Sequence, residues 1–306
     1  MKRTFQTFIL GSSAAIPTAL RHTTAQLLQY HNKYFLLDCA EGTQMQLRRH
    51  KKPMTKINHI FISHMHGDHF LGLPGLLFSL HLLGREKDLH IYAPPGLKQI
   101  IDIQYEVSEL QPSFQIHYHE LHKGRETIYE DEHLIMETMA MNHRLPTFGL
   151  LIREKPGQKN ISKKSIARYN IPVEKIPAIK EGDDFVTNDN TVIPNKDITT
   201  EPPAPRSYAF CSDTAYTEDF IDQISGADLL YHEATFMHAS ADIARRKMHS
   251  TTVEAATLAQ KAHVGKLMIG HYSARYKEME QYLDEAAAVF PETIMAGEGE
   301  TIPVKA

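Results

Sequence analysis

The chain has 306 residues, 42% of them apolar and 23% charged, and a formal net charge of −4. That length is enough for one large domain or two modest ones with a well-buried core. No apolar run approaches the ~18 residues of a membrane helix, the net charge advertises no nucleic-acid partner for the chain as a whole, and the two cysteines, Cys39 and Cys211, exclude a disulfide scaffold.

In chain order, the N-terminal stretch MKRTFQTFILGSSAAIP begins basic and turns apolar. Its apolar part, Phe5–Leu10, is too short for a secretory leader and reads as a first strand, so a reducing cytoplasm is the expected compartment. AQLLQYHNKYFLLDCA, INHIFIS and LHIYAPPG follow as β-rich segments closed by Gly, Pro or Asp. GLPGLLFSLHLLGR and PGLKQIIDIQYEVSEL have helical apolar spacing. FQIHYHEL, TIYEDEHLIMETMAMNH and TFGLLIRE return to strands. Residues 155–205 are rich in Pro, Lys, Asn and Asp and poor in long apolar runs, which suggests an extension standing off the core. Beyond it, SYAFCSDT, ADLLYHEATF and KLMIGHYSARY read as strands that run into polar loops. HSTTVEAATLAQKAHVG and KEMEQYLDEAAAVF read as helices.

Histidine is in surplus, at 19 residues. The densest cluster is FISHMHGDHFLG, where His64, His66, Asp68 and His69 sit at the end of an apolar strand and before a Gly-rich entry into a helix. From an extended segment His64 and His66 project the same way, while Asp68 and His69 follow on the turn. Imidazole and carboxylate are the ligands that Zn²⁺ takes in catalytic sites. His143, Asp213 and His271 each stand just after another apolar strand. Singly, each is an ordinary loop residue. Together they describe strand ends converging on one edge, where α/β folds build their sites. The set offers enough ligands for two metals if one carboxylate bridges them.

The His-x-His-x-Asp-His turn, with a later His, Asp and His, resembles the metallo-β-lactamase superfamily, and more closely the short-form ribonuclease Z family of tRNA 3′-end-processing endonucleases. LGSSAAIPTALRHTTAQLL matches the family's first motif at Gly11, Pro17 and Arg21, with Ser12–Ser13 where a Thr-Gly pair is commoner. LLDCAEGTQMQLRR matches its Asp-Cys-Gly-Glu-Gly-Thr-Gln segment with Ala40 in place of Gly. HEATF (His232–Phe236), HSTT (His249–Thr252) and HYSARY match three further signatures, the last with one Ala.

The resemblance implies an α+β fold, a four-layer αββα sandwich forming one domain over residues 1–306, with an inserted flexible arm at 153–205. It implies two Zn²⁺ per subunit, one held by His64, His66, His143 and Asp213, the other by Asp68, His69, Asp213 and His271, with Asp213 bridging and Asp38 behind the site. Cys211 is not a ligand in the family and is expected to be a buried, inert thiol. The reaction implied is removal of the 3′ trailer from precursor tRNA by a metal-bound hydroxide, leaving a 3′-hydroxyl on the tRNA and a 5′-phosphate on the trailer. Asp68 would take the water's proton, and His249, held by Glu233, would protonate the leaving 3′ oxygen.

From Arg153 to Gly182 there are eight Lys or Arg against three Glu. In the family an arm at this place grips the tRNA elbow, which makes Lys163, Lys164, Arg168 and Lys180 the expected RNA contacts, and one subunit's arm serves the other's active site, which implies a homodimer. The Pro177, Lys180 and Gly182 element resembles the arm's base, while the fuller Pro-Gly-Pro run is absent. Two alternatives are a different hydrolase of the superfamily (a phosphodiesterase, thioesterase or lactonase) and a metal-free RNA-binding descendant. All seven ligand positions are filled, which speaks against the second.

Overall fold

Residues such as those of Phe5–Gly11 and Thr147–Glu154 are buried along nearly the whole strand. A strand covered on both faces reads as a continuous apolar run rather than an alternation. The computed structural model describes residues 4–122 and 124–305; the basic start, Lys2–Arg3, lies outside them.

Two 7-stranded sheets form the centre. The first runs, edge to edge, Thr301–Pro303, Phe5–Gly11, Ala25–Tyr30, Lys33–Leu37, Ile57–Phe61, Leu89–Ala93, Ile116–Glu120. The second runs Thr293–Met295, Leu267–Gly270, Leu229–Glu233, Ser207–Cys211, Thr147–Glu154, Leu134–Met141, Thr127–Glu130. Each sheet is part antiparallel and part parallel. Lys33–Leu37 through Ile116–Glu120 are mutually parallel in the first, and Ser207–Cys211 through Thr293–Met295 in the second.

Phe35, Leu37 and Phe61 from one sheet meet Phe148, Leu150, Phe210 and Tyr231 from the other in the central layer. On its outer face the first sheet is covered by the helices Thr43–Arg49, Leu73–Leu82 and Leu97–Val107, through Leu47, Leu73, Leu76, Leu77, Leu80, Leu97 and Ile101. The second is covered by Thr252–Lys261 and Glu280–Ala287, through Ala255, Leu258, Ala259, Tyr282 and Ala286. This is the four-layer αββα sandwich expected. Each fully buried large apolar side chain in these layers contributes roughly 1.5–3 kcal/mol by leaving water.

The segment AQLLQYHNKYFLLDCA, read as one strand, is a hairpin. Tyr30 pairs with Lys33, and His31 takes the left-handed backbone at φ 52° to make the turn. TIYEDEHLIMETMAMNH likewise divides, because Asp131 Oδ1 accepts from the His133 and Leu134 amides and closes a turn between two strands. The helices Thr43–Arg49 and Ala241–Lys247 and the two C-terminal strands were not foreseen. Thr252–Lys261 starts as its sequence suggests, with Thr251 and Glu254 forming a reciprocal capping box.

Residues 155–205 form a small lobe. Asn160–Ile161 pairs with Thr199–Thr200, and Phe185–Val186 with Val192–Ile193. The lobe has its own apolar cluster of Ile171, Ile179, Phe185 and Ile198. Asn195 ties it together, its Nδ2 donating to the Ile179 and Asp183 carbonyls.

Candidate active site

The parallel strands of both sheets deliver their C-terminal ends to one edge of the sandwich. Ile57–Phe61 continues to His64, and His66 caps the short helix Gly67–Phe70 that carries Asp68 and His69. Ser207–Cys211 leads to Asp213, Leu229–Glu233 ends on Glu233, and Leu267–Gly270 leads to His271, which sits at φ 59°. His143 comes from the far end of Leu134–Met141. Gly72 closes the histidine-rich turn: a Cβ there would stand 1.9 Å from the Ala40 carbonyl oxygen, so only glycine lets the turn pack against the Asp38–Ala40 loop.

The structure brings the sequence-selected ligand candidates together in two groups. In the first, His64 Nε2 and His143 Nε2 lie 2.9 and 3.3 Å from His66 Nδ1, and 3.6 and 3.9 Å from Asp213 Oδ2. In the second, His69 Nε2 and His271 Nε2 lie 3.4 and 3.3 Å from Asp213 Oδ1, and 3.7 and 3.5 Å from Asp68 Oδ2. Asp213 therefore presents one oxygen to each group.

These residues fit metal ions. His69 Nε2, His271 Nε2 and Asp213 Oδ1 are buried, face one another and have no hydrogen-bond partner among the described residues. Three such atoms at one point are costly to bury unless a cation sits among them. The opposite ring nitrogens are held. His69 Nδ1 bonds Asp38 Oδ2 at 2.7 Å, His271 Nδ1 bonds Thr235 Oγ1 at 2.8 Å, His64 Nδ1 bonds Ser63 Oγ at 3.1 Å, and His143 Nδ1 donates to the Met248 carbonyl at 2.8 Å. Such partners fix ring orientation and leave the inward nitrogen as the lone-pair donor. Asp38, at φ 57°, also accepts from the Ser63 amide and hydroxyl, so it holds both the strand end and His69. Asp68 Oδ2 accepts from the Ala15 amide at 2.7 Å, with Ala15 itself at φ 62°.

The electrostatics agree. Burial works to raise the Asp213 carboxyl, but His271, His69, His249 and His64 hold it well below the usual carboxylate range. Burial works to lower His69, but Asp213, Asp38 and Asp68 hold it well above the usual imidazole value. The centre attracts positive charge. Burial lowers His64, His66 and His143, keeping their lone pairs free.

Beside the two groups lies a third arrangement. His249 Nδ1 is 2.9 Å from Glu233 Oε1 and 3.9 Å from Asp213 Oδ2. His249 stands close enough to His271 and Asp213 to be a ligand itself, but its Nδ1 is committed to Glu233 at the shorter distance. Burial opposes its charge, yet Glu233 and Asp213 raise it to about 9.

All of these groups open on or lie directly behind one cleft of about 580 Å³. Arg144 and Lys247 also line it and were not singled out from sequence. Their adjacency to His143 and His249 is the signal that could have found them. Lys163, Lys164, Arg168 and Lys180 do not line the cleft; they belong to the inserted lobe. Cys39 and Cys211 are buried free thiols that burial pushes well above the usual thiol value, which disfavours a reactive thiolate, and among the described residues neither belongs to a candidate metal-holding group.

Comparison with known proteins adds to this geometry. The chain is 42% identical over 302 residues to ribonuclease Z of Bacteroides thetaiotaomicron, covering 98% of this chain and 95% of that protein. It is 42% identical to ribonuclease Z of Cytophaga hutchinsonii, covering 98% and 96%. The crystal structure of human tRNase Z, short form, superposes with a TM-score of 0.72 at 26% identity, covering 98% of this chain and 100% of that one. The metallo-β-lactamase-fold protein YhfI of Bacillus subtilis superposes with a TM-score of 0.70 at 17% identity, a likeness of fold. Residues 5–161 match the family model of the anti-Pycsar protein Apyc1. The chain belongs to the ribonuclease Z family of metallo-β-lactamase-fold endoribonucleases, and its residues 5–161 place it also in the family that the Apyc1 model describes.

Proposed function

We propose that the chain is a zinc-dependent endoribonuclease that removes the 3′ trailer from precursor tRNA, leaving a 3′-hydroxyl on the tRNA and a 5′-phosphate on the trailer. The observation that carries the reading is the meeting, in one cleft, of the two groups shared by Asp213 with the Glu233–His249 pair. The family supplies the substrate. His64, His66, His143 and Asp213 would hold one Zn²⁺, and Asp68, His69, His271 and Asp213 a second. Bound there, zinc supplies Lewis acidity, lowering the pKa of water and neutralising charge on the phosphoryl oxygens.

The side chains do the rest. Asp68, aimed by the Ala15 amide, orients the attacking water and receives its proton. His249 carries its Nδ1 proton against Glu233 Oε1 and gives the Nε2 proton to the departing ribose 3′ oxygen. Glu233 keeps the imidazole charged before transfer and fixes its orientation. Arg144 and Lys247 stand at the cleft wall as cationic contacts for the phosphates flanking the scissile bond.

The chain acts as one domain whose lobe at 153–205 is an arm for the body of the tRNA, through Lys163, Lys164, Arg168 and Lys180. It acts in the cytoplasm, where the unpaired Cys39 and Cys211 fit a reducing medium. It works as a homodimer; exposed Met45, Leu71, Leu82 and Leu83, on neighbouring helices and their ends, offer apolar surface for burial.

The test is cleavage-site mapping on precursor tRNAs with and without an encoded CCA end, with analysis of the new termini. A single cut at the trailer junction with the stated end groups is expected. Hydrolysis of small phosphodiesters, thioesters or lactones with no cut in precursor tRNA would assign the chain to another activity of the same fold.

A further inference from the structure

The proposed centre uses His64, His66, His69, His143, His249 and His271 of the chain's 19 histidines. A second set stands elsewhere, on the first sheet. His59 pairs in register with His90, and His90 with His117, across three parallel strands, while His119 pairs with Tyr92. Residues in register on parallel strands share a face, as do residues two apart on one strand, so all four imidazoles rise from the same side. Ring centroids lie 5.1 Å apart for His59–His90, 4.8 Å for His90–His117 and 5.3 Å for His90–His119.

This face is the one that meets the second sheet, but the cover stops short. Tyr129 of the second sheet packs edge-on against His59 at 4.8 Å. His90 and His117 are half-buried and His119 is exposed, on the outermost strands Leu89–Ala93 and Ile116–Glu120. There His90 Nδ1 and His119 Nε2 lie 3.0 Å apart. His117 Nε2 contacts Asp88 Oδ2 at 2.9 Å, which holds that ring beside the pair.

We propose that His90 and His119 are the protein ligands of a peripheral binding site for a divalent transition-metal ion, separate from the catalytic cleft. Two nitrogens bound to one ion at about 2.0–2.1 Å stand about 2.9–3.4 Å apart, from cis-octahedral to tetrahedral angles. The pair meets that spacing, and His64 Nε2 and His66 Nδ1 in the cleft show the same one, 2.9 Å. Both ligands stand on paired strands, so the sheet preorganises them. Burial lowers both imidazoles, as does His117 beside His90 and as do His90 and His117 beside His119, so neutral rings with free lone pairs prevail at neutral pH. Imidazole pairs suit Ni²⁺, Cu²⁺ and Zn²⁺, and solvent supplies the remaining ligands on this open face. The bound ion ties the edge strand Ile116–Glu120 to its neighbour.

The alternative is an imidazole–imidazole hydrogen bond with no ion. The test uses the full-length protein, loaded with zinc and dialysed, then titrated with Ni²⁺ alone and counted by elemental analysis. The parent should take up one more equivalent than a His90→Ala/His119→Ala variant, and untagged parent should be retained on immobilised Ni²⁺ while the variant is not. His119→Gln provides a milder second variant, with circular dichroism to show that both are folded. Asp213→Ala should keep the extra equivalent, because it alters only the cleft. Equal uptake by parent and both histidine variants, or loss of the extra equivalent in Asp213→Ala, overturns the proposal.

Discussion

Glu233 Oε1 lies 2.9 Å from Nδ1 of His249, yet that carboxylate is fully buried and also accepts from the Thr214, Thr235 and Ser250 amides and the Thr235 hydroxyl. One side chain thus ties three loops at the cleft floor and orients the proposed proton donor. The two roles separate by mutation. His249→Ala should lower turnover by roughly 10²–10⁴-fold, the usual scale of general-acid catalysis, with the fold retained. A phosphodiester with a good leaving group should lose far less. Glu233→Gln turns amide hydrogens toward backbone donors and should also cost on the order of 1–3 kcal/mol of stability, read by chemical denaturation. Equal losses of His249→Ala on both substrates would make His249 structural.

The split of Asp213 between two histidine groups sets an expectation for metal removal. An ion that binds the folded chain and not the unfolded one stabilises it, by about 4 kcal/mol at a thousand times its dissociation constant. A chelator should therefore lower the thermal midpoint, and zinc should restore it. Asp213→Ala should disturb both equivalents, since Oδ2 faces His64 and His143 while Oδ1 faces His69 and His271. Loss of one equivalent with full retention of the other would argue against a bridging carboxylate.

Away from the cleft, His59 governs acid stability. It is largely buried against Phe35 and Tyr129, and burial, followed by His90, His119 and Lys33, lowers it to about 4. An unfolded histidine titrates near about 6.5. Below that pH the unfolded chain binds a proton that the folded chain refuses, so stability is complete above it and falls as the pH drops toward the folded value. The loss is on the order of 2–3 kcal/mol. His59→Phe keeps the ring packing and removes the titration. Denaturant midpoints at about pH 7.5 and about pH 5 should show a smaller acid loss in the variant than in the parent. Identical losses would place the acid sensitivity elsewhere.

Most of the cleft was legible because its residues stand directly after apolar strands, and a strand end has only one place to point. His64, Asp213 and His271 are such cases. Glu233 and His249 are not announced by position in this way, since a strand-end carboxylate and a residue beside a helix cap are ordinary there; the family resemblance paired them, and the fold sets them 2.9 Å apart. The inserted lobe's core was not legible. Ile171, Ile179, Phe185 and Ile198 are apolar residues standing far apart in polar surroundings, with no period to announce a shared face. The hairpin at His31 was missed because its turn carries no Asn-Gly or Asp-Gly signal. The lobe also refines the reading of the basic run Arg153–Gly182: Lys159 Nζ bonds Asn195 Oδ1 at 3.1 Å and Glu201 Oε1 at 3.0 Å, so it helps hold the lobe's fold.

That refinement shapes the test that separates a tRNA enzyme from a general phosphodiesterase. Lys163, Lys164 and Arg168 occupy the short helix Lys163–Arg168, capped by the Ser162 hydroxyl, and none of the three forms an ion pair with a carboxylate among the described residues. Arg168 lies over the Tyr169 ring at 5.1 Å, leaving its guanidinium free for phosphate. None lines the cleft, so the contacts proposed for them with RNA would be the same before and during bond cleavage. Replacing all three with Ala should raise KM for precursor tRNA and leave kcat nearly unchanged, the signature of lost uniform binding. Each lost phosphate contact should also flatten the dependence of log affinity on log salt by about 0.7–0.9. Hydrolysis of a small phosphodiester should not change, because Asp68, His249 and the ligand set are untouched. Lys159 is left in place, so that a weakened lobe is not mistaken for a lost contact. If the triple variant processes precursor tRNA as the parent does across the salt series, the helix is solvated surface and the RNA is held elsewhere, with Arg144 and Lys247 at the cleft wall the next groups to replace.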